Sequence, residues 1–150
     1  MILAATTGTI DPRRLRESER SKLETWARES ERARADCMRR GFHVAAGARI
    51  AVEQPALHLL YRHIDDINAH LDKETVRTRL SANRTRAPEE LAEAGCPILC
   101  IAGDEDIVIP PCAAHVPRAG HSAYFERAAE FNRPVEEFLE QVEPRPHLLR

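Results

Sequence analysis

A chain of 150 residues corresponds to one ordinary domain, and a hydrophobic content of 43% can supply a core. The 22 Lys and Arg residues nearly balance the 24 Asp and Glu residues, for a formal net charge of −2. This balance gives no electrostatic bias toward a polyanion. No apolar run approaches the roughly 20 residues of a membrane-spanning helix. We therefore expect one domain with neither a nucleic-acid partner nor a membrane span.

The first ten residues contain no basic leader followed by a long apolar stretch, so we expect no secretory signal and a cytoplasmic location. The four cysteines have irregular spacing, which favours reduced thiols over a disulfide framework. Cys96 and Cys100 lie four positions apart, whereas a C-x-x-C zinc motif places its cysteines three positions apart. We therefore predict packing roles for both and no zinc site. The cysteines are Cys37, Cys96, Cys100 and Cys112.

The chain begins with a short apolar run at 2–5 that predicts a strand feeding a turn. Residues 13–40 are dense in charge but keep a narrow apolar stripe, which predicts one long surface helix or a broken one. Residues 11–50 hold eleven basic side chains against seven acids. Because glutamates are interleaved with the arginines, intrahelical pairing on a solvated face explains this charge better than nucleic-acid binding does.

Residues 55–72 give the clearest helical pattern in the first half of the chain, and 73–84 predict a further short helix. The first of these helices has one apolar face, which we expect to be buried. That face consists of Leu57, Leu60, Tyr61, Ile64, Ile67 and Leu71. The opposite side carries His63, Asp66 and His70 at a spacing that could gather metal ligands. A pair of histidines without a third firm ligand is a weak indication of a metal site. We therefore favour the interpretation that these are solvated polar side chains.

Residues 88–94 predict a short helix, and the continuously apolar run at 97–102 predicts a strand buried on both faces of a parallel sheet. A strong apolar stripe follows at 124–142, which predicts a helix packed on the sheet. Pro134 interrupts that stripe, so we expect a kink or two helices. We expect 143–150 to be a frayed tail. A helix followed by a buried strand favours the α/β class.

Two segments could carry chemistry. Asp104, Glu105 and Asp106 follow the predicted strand, at the edge of a parallel sheet where ligands and catalytic side chains gather. His121 lies between Gly120 and Ser122, just before the last helix. An aspartate and a histidine at neighbouring strand ends can form the orienting half of a nucleophile–histidine–acid relay.

These two segments resemble the α/β-hydrolase superfamily. Residues 97–111 (PILCIAGDEDIVIPP) resemble its seventh strand and acid loop, and 119–139 resemble its histidine loop and final helix. The resemblance implies that Asp106, within the G-x-x-D-x-x-x-P pattern, is the triad acid rather than Asp104. It implies that His121 is the general base.

The resemblance also implies a domain organisation. Residues 1–11 correspond to a strand and turn of the hydrolase core, 12–87 to a helical cap, and 88–150 to the carboxy-terminal part of the core. The implied fold is α/β, a partial α/β-hydrolase fold that is predominantly helical with a residual two- to three-stranded parallel sheet.

The chain departs from the family pattern in two ways. It contains no G-x-S-x-G nucleophile elbow and nothing that resembles the first five strands with their oxyanion loop. Its serines all lie in other contexts. They are Ser18, Ser21, Ser30, Ser81 and Ser122. Only fourteen residues separate Asp106 from His121, where a parallel crossover needs about a dozen or more, usually helical. The sequence therefore leaves open whether a final strand forms and whether the two side chains meet.

The inherited chemistry implied by the resemblance is hydrolysis of an ester, amide or C–C bond in a small molecule by a Ser-His-Asp triad, with no metal or organic cofactor. Because the nucleophile elbow is missing, we expect a truncated relative that is inactive alone. The alternative is a non-catalytic helical interaction module, or a fragment that pairs with itself or with another chain, since a sheet of two or three strands has exposed edges.

Overall fold

A computed structural model describes residues 1–111 and 114–142. Within these ranges the protein is predominantly helical and contains one small parallel sheet. This architecture agrees with the α/β class expected from the sequence. Cys112 and the tail at 143–150 lie outside the described residues, so the predictions for them stay predictions.

Three parallel strands form the sheet, in the order β1-β2-β3. The strands are β1 (Ile2–Ala4), β2 (Leu99–Gly103) and β3 (Ala114–Val116). Strand β2 is central, with Ala4 paired to Ile101 on one side and Ala114 paired to Ile101 on the other.

The final strand that the sequence left open does form. Strand β3 has only three residues, yet Val116 is fully buried and its carbonyl accepts a hydrogen bond from the Asp104 N–H group at 3.1 Å. A short strand is sufficient here because β2 supplies a complete row of hydrogen-bonding partners along it.

Five helices lie between β1 and β2. They are α1 (Glu17–Arg39), α2 (Gly47–Glu53), α3 (Pro55–Ile67), α4 (Lys73–Ala82) and α5 (Glu89–Ala92). The predicted charged helix is continuous and begins four residues later than expected, because Pro12–Arg14 forms a separate 3-10 turn capped by the Asp11 carboxylate. Helix α2 was not predicted; it is short and places only Ile50 in the interior.

The expectation that the apolar face of residues 55–72 is buried is wrong for most of that face: Leu57 and Tyr61 are half-buried, but Leu60, Ile64, Ile67 and Leu71 are exposed. Helix α3 instead turns His58 inward, and Tyr61 and Asp65 are half-buried on the same side. This side is selected because His58 accepts a hydrogen bond from the His43 N–H group at 3.0 Å and Asp65 contacts the His43 ring. Polar contacts with the preceding loop therefore orient the helix, and most of its aliphatic stripe faces solvent.

The aromatic segment that follows β3 forms two helices, but the expectation that Pro134 divides it is wrong. These are α6 (Ala123–Glu126) and α7 (Ala128–Val142). The break lies at Arg127, with φ −138° and ψ 52°, and not at Pro134, which stands inside α7. A proline within a helix costs about 3 kcal/mol. Half-buried side chains on both sides of Pro134, including Phe131 and Phe138, help to hold α7 together across it.

The core lies between the sheet and these last helices. Ile101, Val116, Ala119 and Ala123 are buried together, and Phe131 of α7 packs against them. Ala119, in the loop after β3, has a small side chain, and the backbone of this loop approaches the sheet closely. None of the helices in the described ranges combines the length and the apolar character needed to cross a bilayer.

Gly103 permits this close approach. A Cβ atom built on it would overlap the carbonyl oxygens of Ala119 and Gly120. Because backbone cannot move aside as a flexible side chain can, we expect Gly103→Ala to lower the free energy of unfolding by about 3 kcal/mol. The measurement is urea denaturation followed by circular dichroism.

Gly41→Ala is the matched control. Gly41 has φ +71° and open space around it, so its substitution costs only backbone strain of about 1 kcal/mol. Equal losses of stability in the two variants would contradict the close approach at Gly103.

Candidate functional site

The site begins at the carboxyl end of β2, where the chain turns sharply after Gly103. The Asp106 N–H group donates to the Gly103 carbonyl at 3.3 Å and closes the turn. The Asp106 carboxylate then points back into the protein. Its Oδ1 atom accepts hydrogen bonds from the N–H groups of Val108 at 2.7 Å and Ile109 at 3.0 Å. These two donors hold the side chain in one orientation.

The second part of the site is the loop after β3. Its Ala119 carbonyl accepts a hydrogen bond from the Glu105 N–H group at 2.9 Å, and the Ala119 N–H group donates to Asp104 Oδ1 at 3.3 Å. The loop is therefore attached to the turn that carries Asp106. This attachment, together with the close approach at Gly103, brings His121 to the end of β2 without a long crossover.

Asp106 and His121 meet. The distance between His121 Nδ1 and Asp106 Oδ2 is 3.0 Å. Because a carboxylate oxygen only accepts, the proton of this hydrogen bond belongs to Nδ1, and in the neutral ring Nε2 keeps its lone pair. The Asp106 side chain is 1% exposed, whereas the His121 side chain is 25% exposed. The carboxylate of the pair is therefore buried, and solvent can reach the imidazole.

A second buried carboxylate supports the histidine loop from behind. Glu126 Oε1 accepts a hydrogen bond from the Gly120 N–H group at 2.7 Å, one residue before His121. Burial raises the pKa of Glu126 to about 7, although this hydrogen bond and the nearby Arg127 and Arg49 oppose the shift. Glu126 therefore gains or loses a proton near neutral pH. Its carboxyl group contacts the N–H group of Gly120, the residue before His121.

Ser122, the residue after His121, connects the two regions that the resemblance assigned to the cap (12–87) and to the core (88–150). Ser122 Oγ donates a hydrogen bond to the Tyr61 hydroxyl at 2.8 Å, and its N–H group donates to the Ala45 carbonyl at 3.1 Å. Phe125 packs edge-on against the Tyr61 ring at 5.3 Å between centroids. Burial raises the pKa of Tyr61. Ser122 is 1% exposed and already bonded, so it is unsuited to attack a substrate.

The metal alternative receives no geometric support at its predicted position. Helix α3 ends at Ile67, so His70 lies in the following turn and does not continue the face that carries His63 and Asp66. Across residues 1–111 and 114–142, no three His, Cys, Asp or Glu side chains converge as a metal site. Cys37, Cys96 and Cys100 are free thiols.

Of the acidic side chains after β2, the structure brings Asp106 to His121 and leaves Asp104 exposed, bonded to Ala119. The sequence analysis did not identify Glu126 or Tyr61 as parts of the site. Glu126 reaches back six positions to the Gly120 N–H group, farther than the local side-chain-to-backbone patterns that a sequence can signal. No sequence pattern links Tyr61 to Ser122, because 61 positions separate them.

The raised pKa of Glu126 predicts a pH-dependent stability. A carboxyl group whose folded pKa exceeds its unfolded value binds more protons in the folded state, so its contribution is present at low pH and is lost as pH rises toward and past 7. The shift corresponds to roughly 3 kcal/mol. We therefore expect Glu126→Gln to gain stability relative to the original protein as pH rises from 5 to 8.

Paired urea denaturation curves at each pH measure this difference. Groups that titrate in both proteins, such as His58, whose pKa burial lowers, cancel in the comparison. A difference that stays constant with pH would contradict the burial of an ionisable Glu126.

The hydrogen bond between His121 and Asp106 predicts an NMR signature. The Nδ1 proton should give a low-field resonance, and ¹⁵N shifts of the neutral ring should report an unprotonated Nε2. Asp106→Asn removes the charged acceptor, so the low-field resonance should disappear. Asp104→Asn is the matched control and should retain it. A neutral ring protonated on Nε2 in the original protein would contradict the pairing.

Comparisons with protein-family models, with curated proteins and with solved structures found no match to this chain.

Proposed function

We propose that this chain carries the acid and histidine of a hydrolytic relay of the α/β-hydrolase type. The observation that carries the proposal is the 3.0 Å contact between His121 Nδ1 and Asp106 Oδ2, with the carboxylate buried and the imidazole partly exposed. In such relays a carboxylate orients a histidine whose other nitrogen handles the proton. The three hydrogen bonds accepted by Asp106 suit that orienting role.

The residues would act in sequence. A serine hydroxyl attacks the carbonyl carbon of an ester, an amide or the ketone beside a C–C bond, and His121 Nε2 takes the hydroxyl proton. Asp106 keeps the other nitrogen protonated and stabilises the imidazolium that forms. The tetrahedral intermediate collapses, and the imidazolium returns the proton to the leaving group. Water then repeats the cycle on the acyl-enzyme and restores the serine.

The topology supports the family assignment within this proposal. The three strands are parallel and follow one another in the sheet in chain order, the acid lies after the central strand, and the histidine lies between the last strand and the closing helices. In this proposal residues 12–87 form a cap over the site. The contact of Tyr61 with Ser122 then joins the cap to the histidine loop.

The nucleophile must come from another polypeptide segment. Ser122 and Ser30 are buried, and none of the serines has the elbow context that exposes a nucleophile above a sheet. Among the described residues, β1 has no strand on its outer side. We propose that a further parallel strand pairs there and presents the nucleophile, either in a longer protein or in a separate chain. The free thiols favour a cytoplasmic setting.

A large apolar groove beside β1 is consistent with such a neighbour. Its volume is about 1020 Å³, and Leu3 of β1 and Cys100 of β2 form part of its floor. Leu23 and Trp26 of α1 line it from the cap side. Apolar surface of this extent is typical of a binding site or an interface.

The test extends the chain with the coding sequence upstream of Met1 and measures hydrolysis of an activated ester. We expect the extension to encode Gly-x-Ser-x-Gly and the joined protein to turn over substrate. His121→Ala or Asp106→Asn should then lower kcat by roughly 10⁴-fold, as removal of a relay member does. The original 150-residue chain should hydrolyse the ester no faster than its own His121→Ala variant.

His115→Ala is the matched control. His115 is exposed on β3, six positions before His121, and should leave the rate of the joined protein unchanged. Two results would overturn the proposal: the absence of the serine motif from both the upstream sequence and any separate chain that pairs with this one, or ester hydrolysis that survives His121→Ala.

A further inference from the structure

The inward side of α3 contains one buried side chain, and it is a histidine. His58 is 8% exposed, and no other residue of this fully described helix is buried. Its Nε2 atom accepts a hydrogen bond from the His43 N–H group, in the loop at 40–46, at 3.0 Å. A ring nitrogen that accepts has no proton, so the ring carries its single proton on Nδ1. The hydrogen bond between α3 and this loop therefore exists only while His58 is neutral.

The surroundings of His58 oppose its protonation. Burial lowers the pKa of His58, and the positive charge of Arg62 on the same helix and of His43 on the loop lowers it further. The Asp65 carboxylate of α3 is engaged elsewhere. It contacts His43 Nε2 at 3.3 Å and the Lys73 ammonium group of α4 at 2.7 Å. A charged His58 ring would therefore be buried beside positive groups.

A second imidazole in this contact responds to acid in two opposing ways. His43 Nδ1 accepts a hydrogen bond from the Ala45 N–H group at 3.2 Å, so in the neutral ring Nε2 carries the proton and faces Asp65. Protonation of Nδ1 would break the bond to Ala45, but the Asp65 carboxylate would stabilise the charged ring. At His58 burial and neighbouring charge act in the same direction. His58 is therefore the group whose protonation weakens the contact.

The same loop and the same helix also contact the residue after His121. The Ala45 carbonyl accepts a hydrogen bond from the Ser122 N–H group at 3.1 Å. Tyr61 of α3 accepts one from Ser122 Oγ at 2.8 Å and lies against the His43 ring, with 4.8 Å between the ring centroids. Separation of α3 from the loop would therefore disturb two hydrogen bonds of Ser122.

We propose that His58 is an acid-sensitive switch whose protonation releases α3 from the loop at 40–46 and loosens the hydrogen bonds of Ser122. A protonated ring turns an N–H group toward the N–H group of His43, so two donors face each other and a charge is left buried. Histidine is suited to such a switch because its charge changes in mildly acidic solution. The switch does not depend on the proposed relay.

The sign of the effect follows from proton binding. A histidine whose pKa is lowered in the closed state binds fewer protons there than in the open state, so acid favours opening. The contact is therefore stable above about pH 6.5, the ordinary pKa of histidine, and weakens as pH falls below it.

The test measures hydrogen exchange of single backbone amides by NMR at about pH 7.5 and about pH 5.5. Each rate is divided by the rate of an unstructured peptide at the same pH, which gives the opening equilibrium constant. In His58→Gln the amide oxygen can accept the bond from His43 but does not titrate in this range. His63→Gln is the matched control, because it makes the same substitution at an exposed position of α3.

Relative to His58→Gln, we expect the opening constants of the His43 and Ser122 amides to rise roughly fivefold between these pH values in the original protein and in His63→Gln. The Asp104 amide, which is bonded to β3, should not follow them. Opening at His43 that is independent of pH, or equally dependent in His58→Gln, would overturn the proposal. An equal rise at Asp104 would indicate global unfolding and would also overturn it, as would a rise at His43 without one at Ser122.

A direct titration in the original protein keeps the proposal falsifiable if His58→Gln does not fold. The ¹⁵N shifts of the His58 ring should report an unprotonated Nε2 at pH 7.5 and protonation below the ordinary pKa of histidine. A neutral ring protonated on Nε2, or protonation at or above pH 6.5, would overturn the proposal. Glu126 titrates in all three proteins, so its effect cancels in the exchange comparison.

Discussion

The close contact between Gly103 and the carbonyl groups of Ala119 and Gly120 is the constraint on which the site depends. A side chain at position 103 would hold the loop away from the end of β2. Without it, the loop lies against the strand and forms the backbone hydrogen bond from Glu105 to Ala119. This arrangement explains how fourteen intervening residues bring His121 to Asp106, where a longer crossover is the usual solution.

The two buried carboxylates of the site illustrate how hydrogen bonds decide the cost of burial. Asp106 has three donors around it, two of them backbone N–H groups, whereas Glu126 accepts one hydrogen bond from Gly120. Burial raises the pKa of Glu126 to about 7, because its single hydrogen bond from Gly120 offsets only part of the loss of water around the carboxylate. This titration couples the backbone before His121 to the pH of the surroundings.

The apolar surface is distributed unusually for a chain of this size. Among the described residues, few large apolar side chains are fully buried, while the groove beside β1 and the exposed aliphatic residues of α3 remain open. In the proposed function, the groove and the strand edge suit a neighbouring strand.

By itself the sequence determined the secondary structure of the long periodic segments and the position of the central buried strand. It also identified Asp106 and His121 as the candidate site residues. Both were possible because hydrophobic periodicity and the residue types at strand ends are local properties of the sequence. Only the tertiary structure decided that β3 forms, that the two side chains meet, that Glu126 and Tyr61 support the histidine loop, and that α3 turns His58 and Tyr61 inward. A helical stripe specifies which residues share a face but not what covers it. That outcome depended on His43, His58 and Asp65, whose contacts join residues far apart in the chain.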